Sequence, residues 1–305
     1  MTIAFAVHGG AGHLNRAGLS AARQQEIREG LAAATAAGRD VLAAGGAALD
    51  AVVAAVVLLE ECVHFNAGRG AVLNADGHAE HDASVMRGHD RAAGAVGAVV
   101  GVRNPILLAR SILLQTEHVL MVGEGASRLA DDLGLERAEP SWFIVPRRLR
   151  QWQRTQTISL DHDTTGTVGA VARDLRGRLA AATSTGGMTN KLPGRVGDSA
   201  CIGAGTWADG RCAVSATGHG ERFIEANVAA RIANLIELSG LSIEAACARV
   251  VHRELRGDGG VIAVAADGLP SLPFNSGGML RGLLGDDGQI YTGIWDELVP
   301  TPASA

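Results

Sequence analysis

Short glycine turns between apolar runs are the feature that most limits what this chain can fold into. Asp209-Gly210 and Asp267-Gly268 each separate two apolar runs, and Arg176-Gly177 separates another two. Asp-Gly in this position is typical of a β-hairpin, because a type I′ turn requires positive φ at both central residues. We therefore expect hairpins and antiparallel sheets. The runs predicted as strands around these turns are 167–174, 179–184, 200–207, 212–216, 261–266 and 271–274.

Helical patterns precede and follow the main run of strands. Ser20 is a suitable N-cap, and Asn104-Pro105 suits a helix start because proline needs no hydrogen-bond partner there. The absence of regular βαβ alternation argues against a Rossmann sheet or a TIM barrel, so we expect an α+β fold. A polar segment, 140–166, is predicted as a surface loop with one or two helical turns. The predicted helices are 20–44, 47–61, one opening at 104–105, 124–133, 222–238 and 242–255, and further strands are predicted at 1–8 and 96–102.

The composition excludes several classes of protein. With 305 residues and 47% apolar residues, the chain can bury a substantial core and is not disordered throughout. Its 27 Lys and Arg against 32 Asp and Glu give a net charge of −5, and only 3% of residues are aromatic. Neither a basic surface nor a row of stacking rings is therefore expected, so we predict no nucleic-acid partner. The four cysteines form no C-x-x-C pair, and we interpret them as reduced thiols.

The N-terminal residues predict a strand rather than a signal peptide, because no basic segment precedes a long apolar run. The longest apolar stretch, 51–59, is too short to span a bilayer. We therefore expect a cytoplasmic protein with no membrane partner.

Polar residues that could carry chemistry fall at strand ends or in the loops after strands. Thr185, Arg195, Asp198 and Thr217 all occupy such places, where rigid scaffolds often hold functional groups. Arg195 and Asp198 could be a surface ion pair of little value, or a clamp that holds a carboxylate and an ammonium. The glycine-rich turn 8–12 could be a tight turn or a backbone N–H donor site. The sequence contains no conventional serine, cysteine or metalloprotease motif.

At these residues the chain resembles the isoaspartyl peptidase/L-asparaginase family, the plant-type branch of the N-terminal-nucleophile hydrolases. The block TSTGGMTNKLPGRVGD at 183–198 is long and specific enough to identify the family by itself. The resemblance covers nearly the whole chain. The matching segments are 8–12, 46–52, 65–68, 166–171, 182–198, 217–221 and 272–279.

The resemblance implies a four-layer αββα sandwich in a single domain, 1–305, that cuts itself between Gly166 and Thr167. The products would be 1–166 and 167–305, assembled as (αβ)2. An internal threonine hydroxyl is a poor nucleophile without a base beside it. After the cut Thr167 would carry its own α-amine, whose reference pKa of about 7.7–8.0 suits a base near neutral pH.

The resemblance also implies a role for each matching residue. Thr167 is the expected nucleophile, Thr185 polarises it, and Asn66 positions it or the attacking water. Thr217 and the Gly218 N–H would stabilise the oxyanion. Arg195 and Asp198 would hold the α-carboxylate and α-amine of the substrate, with the Gly220 carbonyl as a further acceptor. A structural sodium ion is expected on the backbone carbonyls of Leu59, Glu60, Cys62, Phe65, Ala67 and Arg69.

The sequence therefore predicts an amidohydrolase that releases L-aspartate from β-aspartyl dipeptides and L-asparagine, with no catalytic cofactor. One alternative is glycosylasparaginase, which has the same fold and nucleophile. That branch usually occurs in a lysosomal or secreted setting, so the missing signal peptide weighs against it. A more distant alternative is a non-enzymatic binding protein, which the intact set of threonines disfavours.

Overall fold

A computed structural model describes residues 2–156, 166–256 and 259–301. The described strands are β1 Ala4–Gly12, β2 His81–Arg87, β3 Ala93–Val99, β4 Leu120–Val122, β5 Val168–Arg173, β6 Leu179–Thr185, β7 Thr206–Ala208, β8 Cys212–Gly218, β9 Gly259–Ala265, β10 Gly278–Leu284, β11 Ile290–Gly293 and β12 Leu298–Pro300. The described helices are α1 Ala21–Ala43, α2 Ala48–Glu61, α3 Pro105–Gln115, α4 Gly123–Asp132, α5 Pro140–Phe143, α6 Pro146–Thr155, α7 Gly220–Ala226, α8 Val228–Ser239 and α9 Ile243–Arg249, which continues into a π-helical turn at Val250–Glu254.

The strands form two sheets that pack face to face. Nine strands lie in the order β12-β11-β10-β1-β5-β6-β2-β3-β4, and three in the order β7-β8-β9. Helices α1, α2 and α3 cover the outer face of the large sheet, and α8 and α9 cover the small one. This is the expected α+β fold with four αββα layers, and the prediction is confirmed.

Strand β5 shows how side-chain alternation produces these layers. Val168, Ala170 and Ala172 pack in the core beneath the helices, whereas Val171 packs between the two sheets. Because successive side chains of a strand point to opposite faces, a strand covered on both faces is apolar throughout. Strand β5 lies between β1 and β6 near the middle of the large sheet, so the residue just before it, Thr167, is held by a well-ordered framework.

Several predicted elements are confirmed. The side chain of Ser20 accepts a hydrogen bond from the Arg23 N–H at the start of α1. Helix α2 begins and ends within one residue of its prediction. The turn at Arg176-Gly177 joins β5 to β6, and Asp209-Gly210 joins β7 to β8, both as antiparallel pairs. The first strand is longer than predicted because it continues to Gly12, and the strand expected at 96–102 is β3, shifted toward the N-terminus.

Two predictions around 200–238 are wrong for a shared reason. The helix predicted at 222–238 breaks at Asn227, whose φ of 48° lies in the left-handed region that asparagine tolerates. Helix α8 then starts afresh, and two of its first N–H groups donate to the carbonyls of Gly203 and Ala204. Those carbonyls belong to the strand predicted at 200–207, of which only β7 is strand. In the rest of that run, carbonyl groups accept hydrogen bonds from the otherwise unpaired N–H groups at the start of α8.

Three further predictions change in detail. Residues 271–274 make two isolated bridges to β9 instead of a strand. The segment 140–156 forms the helices α5 and α6, so it is more helical than expected, and 157–165 lies outside the described residues. Asn104 precedes α3 without a side-chain capping bond, because the buried carboxylate of Glu60 accepts the N–H of Ile106 there.

Over the described residues, no helix combines the length and the apolar character that crossing a membrane requires.

Candidate active site

A narrow cavity lies where β5 begins and where β6 and β8 end. It brings together six residues that the sequence singled out, and three that it did not assign. The lining residues are Thr167, Thr185, Gly187, Met188, Arg195, Asp198, Gly218, His219 and Gly220. The convergence arises from the sheets, because β5 and β6 are paired in one sheet and β8 packs against both from the other.

Thr167 is almost fully buried and is fixed through its backbone. Its N–H donates to Thr217 Oγ1 at 3.1 Å, and the same hydroxyl accepts the Ala11 N–H at 3.2 Å. The carbonyl of Thr167 lies 2.9 Å from Nδ1 of His8. A hydroxyl that accepts two bonds still carries one proton to donate, so Thr217 lies beside Thr167 as a donor. Residues 8–12 are the end of strand β1 rather than a tight turn, and Ala11 supplies a backbone donor there.

Thr185 and Asn66 line two neighbouring cavities and are held by different hydrogen bonds. Thr185 Oγ1 accepts the Gly187 N–H at 3.0 Å at the end of β6. Asn66 donates from Nδ2 to the Gly187 carbonyl at 2.7 Å and accepts the Val72 N–H at 2.9 Å. Thr185 lines the cavity with Thr167, whereas Asn66 lines a neighbouring cavity with Gly166. Asn66 therefore reaches the site through the 186–187 backbone.

The Gly166–Thr167 peptide bond separates these two cavities. A Cβ placed on Gly166 would lie 2.0 Å from the Cα of Gly10, and one on Gly10 would lie 2.6 Å from the Cα of Gly166. Gly10 also has a φ of +118°, which favours glycine. The glycine-rich end of β1 is thus a surface against which the predicted cleavage residue packs backbone to backbone.

Arg195 and Asp198 are not a surface ion pair. Asp198 is 4% exposed. Arg195 pairs with Glu221 instead, since its Nε lies 2.9 Å from Oε1 and its Nη2 lies 2.8 Å from the same oxygen. Within the described residues, Arg195 Nη2 and Asp198 Oδ2 are buried without a hydrogen bond. The Nη2 contact with Glu221 is close but lacks hydrogen-bond geometry.

Burial dominates the electrostatics of Asp198. It raises the pKa of this carboxyl to about 7, although the positive charge of Arg195 opposes the rise. A buried carboxylate without a partner is costly. A ligand ammonium would remove that cost at Asp198, and a ligand carboxylate could use the unbonded guanidinium nitrogen of Arg195. The cavity is therefore suited to a zwitterion.

Charges behind the cavity hold the loop that carries the two clamp residues. The Asp82 carboxylate accepts the N–H groups of Ala98 and Gly197 at 2.9 Å each. Lys191 is buried and donates to the Glu80 carbonyl at 3.2 Å. Burial lowers the pKa of Lys191 and raises that of Asp82, while the charge of each opposes the shift of the other.

The loop predicted to bind sodium follows the C-terminal end of α2. A Cβ on Gly70 would lie 2.1 Å from the Phe65 carbonyl oxygen and 3.0 Å from that of Cys62. One on Gly68 would lie 2.4 Å from the Glu60 oxygen. Three of the six expected carbonyl oxygens thus lie close to two glycines, at positions that any side chain would crowd. Oxygen atoms at a helix C-terminus suit a hard cation, so the type of donor present fits the ion.

Sequence reasoning missed several residues of this site. Glu221 lies in the matching segment 217–221, but the resemblance assigns it no role. No pattern in the sequence indicates that it pairs with Arg195. His219 and Met188 line the cavity next to predicted residues. His8, to which the sequence analysis gives no role, contacts the backbone of Thr167.

Sequence comparisons with known proteins identify the family of this chain. The sequence profile of a family described as asparaginase matches residues 1–294. The chain is 49% identical to an isoaspartyl peptidase of Escherichia coli, over 98% of each chain. It is 50% identical to an isoaspartyl peptidase of Salmonella typhimurium, over 96% of this chain and 98% of the relative. It is 41% identical to an isoaspartyl peptidase/L-asparaginase of Bos taurus, over 94% of each. With the profile matching almost its entire length, the chain belongs to the asparaginase family.

Proposed function

We propose that this protein is an isoaspartyl peptidase and L-asparaginase that releases L-aspartate from β-aspartyl dipeptides and from L-asparagine. One observation carries the proposal: a buried guanidinium nitrogen and a buried carboxylate oxygen, both without hydrogen bonds, share a cavity with Thr167. The free amino acid end of an aspartyl group has the two charges that complement them. The names of the relatives support this activity over that of a glycosylasparaginase.

In the proposed reaction, Arg195 and Asp198 hold the α-carboxylate and α-ammonium, and the side-chain carbonyl reaches Thr167. The Thr167 hydroxyl attacks this carbonyl while its own α-amine takes the proton. The oxyanion forms beside Thr217 and the Gly218 N–H, and stabilisation of this kind is worth several kcal/mol. The leaving amine takes the proton from the α-ammonium. Water then hydrolyses the β-aspartyl ester, and L-aspartate leaves.

We propose a single domain, 1–305, that activates itself at Gly166. In the uncut chain the Thr167 nitrogen is an amide that donates to Thr217, so it has no lone pair to act as a base. Attack of the Thr167 hydroxyl on the Gly166 carbonyl would form an ester as the Gly166–Thr167 C–N bond breaks, and the hydroxyl proton would pass to the released Thr167 nitrogen. Hydrolysis of that ester would leave a Gly166 carboxylate and a free Thr167 amine. The close contact between Gly10 and Gly166 supports this cleavage site. A side chain on Gly166 would collide with Gly10 and would shift the Gly166 carbonyl relative to the Thr167 hydroxyl.

We also propose that two processed chains assemble as (αβ)2. Three apolar side chains around the edge strand β4, those of Val119, Leu120 and Val122, are each about half exposed. Such a group is suited to an interface between copies of the chain. Light scattering of the purified protein tests the assembly.

Two further features complete the proposal. One is a structural sodium ion on the loop after α2. The other is a cytoplasmic location, which is in keeping with four free cysteines.

The direct test is the covalent state of the purified protein. We expect intact-mass spectrometry to find two fragments, one ending at Gly166 and one beginning at Thr167, and N-terminal sequencing to read Thr-Val-Gly. The processed protein should hydrolyse β-aspartyl-leucine and L-asparagine, but not α-aspartyl-leucine. A 31.3 kDa chain that stays intact after long incubation, or turnover by uncut protein, would overturn the proposal.

A further inference from the structure

A chain of buried polar groups runs from the carbonyl of Thr167 through the space between the two sheets. His8 Nδ1 lies 2.9 Å from the Thr167 oxygen, and His8 Nε2 lies 2.9 Å from Ser215 Oγ. Ser215 Oγ lies 2.7 Å from Thr183 Oγ1. The three side chains come from β1, β8 and β6, and the carbonyl belongs to the residue just before β5, so the contacts join both sheets beneath the nucleophile.

The acceptor at the end of the chain fixes the tautomer of His8. A carbonyl oxygen only accepts, so Nδ1 must carry the proton that it donates to Thr167. Burial lowers the pKa of His8 to about 3, so the ring is neutral and its Nε2 accepts. Ser215 must then donate its hydroxyl proton to Nε2, and its oxygen accepts from Thr183. Each of the three hydrogen bonds thus has one defined donor: His8 donates to Thr167, Ser215 to His8, and Thr183 to Ser215.

The backbone is shaped to allow this arrangement. His8 on β1 lies opposite Gly169 on β5, two residues after the nucleophile. A Cβ on Gly169 would lie 2.0 Å from Ser215 Oγ and 2.5 Å from His8 Nε2. Any other residue at 169 would therefore displace the contact between the ring and the hydroxyl.

A neutral imidazole buried at this point costs desolvation and contributes no charge to the reaction. Its direct contact with the site is the Thr167 carbonyl, whose plane sets the direction of the adjacent Thr167 Cα and therefore of its amine and hydroxyl. That carbonyl belongs to the 167–168 peptide bond, so the contact survives a cut between Gly166 and Thr167. A misplacement of about 1 Å in a reacting group can cost about 100-fold in rate.

We propose that His8, held by Ser215 in the tautomer that the Thr167 carbonyl selects, is a positioning residue that aims the Thr167 hydroxyl and amine, both in self-cleavage and in turnover. The inference rests on the proposed role of Thr167 as nucleophile. It assigns no proton transfer to His8, which stays neutral and keeps its Nδ1 proton throughout.

Two substitutions at His8 separate positioning from simple packing. Asparagine carries its amide nitrogen on the same carbon as Nδ1, so His8→Asn can still donate to the Thr167 carbonyl but cannot reach Ser215. Glutamine carries its amide oxygen one carbon further, near the position of Nε2, so His8→Gln can still accept from Ser215 and loses the donor to Thr167. Both substitutions remove the imidazole ring, so we expect them to lower the stability of the protein by similar amounts.

We expect His8→Gln to lower kcat for β-aspartyl-leucine by about 10- to 100-fold, with KM within about 2-fold, because the clamp is untouched. His8→Asn should keep kcat within about 3-fold of the wild type. The rate of self-cleavage, followed by gel on newly synthesised uncut chain, should show the same ranking without any contribution from substrate binding. Melting temperatures of the two variants should agree.

Equal loss of kcat in both variants, or losses that follow the melting temperature, would overturn the inference. Ser215→Ala provides a second measurement if either His8 variant fails to fold. It leaves the ring in place but removes the donor to Nε2, so kcat should fall while KM holds, and an unchanged kcat would also overturn the inference. The proposed function fails separately, when Thr167→Ala keeps its activity.

Discussion

Two regions of the candidate site meet at Thr167 and are held by different kinds of contact. On the nucleophile side, the contacts of Thr167 with Thr217 and His8 are neutral hydrogen bonds that are already complete. On the clamp side, Arg195 and Asp198 are charged and each has a buried atom without a hydrogen bond. The first region is satisfied by the protein alone, whereas the second is left for a ligand to complete.

The difference separates two tasks that one site must perform. Self-cleavage acts on a peptide bond of the chain and offers no free α-carboxylate or α-amine, so it depends on the neutral side. Turnover of a small substrate requires the charged side as well, because only the two charges distinguish an aspartyl group from other amides. Substitutions on the two sides should therefore have different consequences.

The largest effect is expected on the neutral side. Thr167→Ala should stay uncut and lose at least about 10⁴-fold in turnover, since both nucleophile and amine are removed. Thr167→Ser should keep part of both functions, because serine retains the hydroxyl but loses the methyl group that restricts its rotamer. Gel analysis and kcat for β-aspartyl-leucine measure the two. Turnover by Thr167→Ala at the wild-type rate would mean that the nucleophile is elsewhere.

A smaller effect, confined to turnover, is expected from the charged side. Arg195→Ala and Asp198→Ala should each be cut normally and lose about 2–5 kcal/mol, or at least about 30-fold, in kcat/KM. The matched control is Arg222→Ala, which breaks the exposed pair with Glu225 on α7 and should cost at most about 1 kcal/mol. Near-wild-type values for both clamp variants would remove the distinction between the two regions.

The smallest effect concerns pH. Because the pKa of Asp198 is raised to about 7, the free protein loses this carboxylate as the pH falls through 7. The inhibition constant of L-aspartate should therefore rise as the pH falls below 7, by at most about 10-fold per unit. Asp198→Asn should bind more weakly and lose the part of this dependence that Asp198 contributes. An inhibition constant that is constant between pH 5 and 8 would contradict the assigned partner of the ammonium.

Local signals in the sequence were sufficient for elements that depend on a few residues. The cap at Ser20 and the turn at Arg176-Gly177 predict their elements because each is stabilised by contacts within a few residues. The break at Asn227 was missed because the apolar periodicity continues through it. What breaks the helix is a contact with Gly203 and Ala204, which are distant in sequence.

The same contrast applies to the site. The resemblance singled out Thr167, Arg195 and Asp198, and the structure brings all three to one cavity. It gave no partner for Arg195, because Glu221 meets it only after β8 and α7 are arranged in space. The strand order of the large sheet was equally out of reach, because pairs such as β1 with β10 join residues that are 266–277 positions apart in the chain.

That strand order determines what a cut at Gly166 would do to the molecule. Strands before the cut and strands after it alternate across the sheet: β10 lies beside β1, β1 beside β5, and β6 beside β2. The two fragments would be interlaced along three strand boundaries, each with its own ladder of hydrogen bonds. The chain could thus be cut near its centre and keep its folded structure. The two fragments would neither dissociate on dilution nor exchange between molecules.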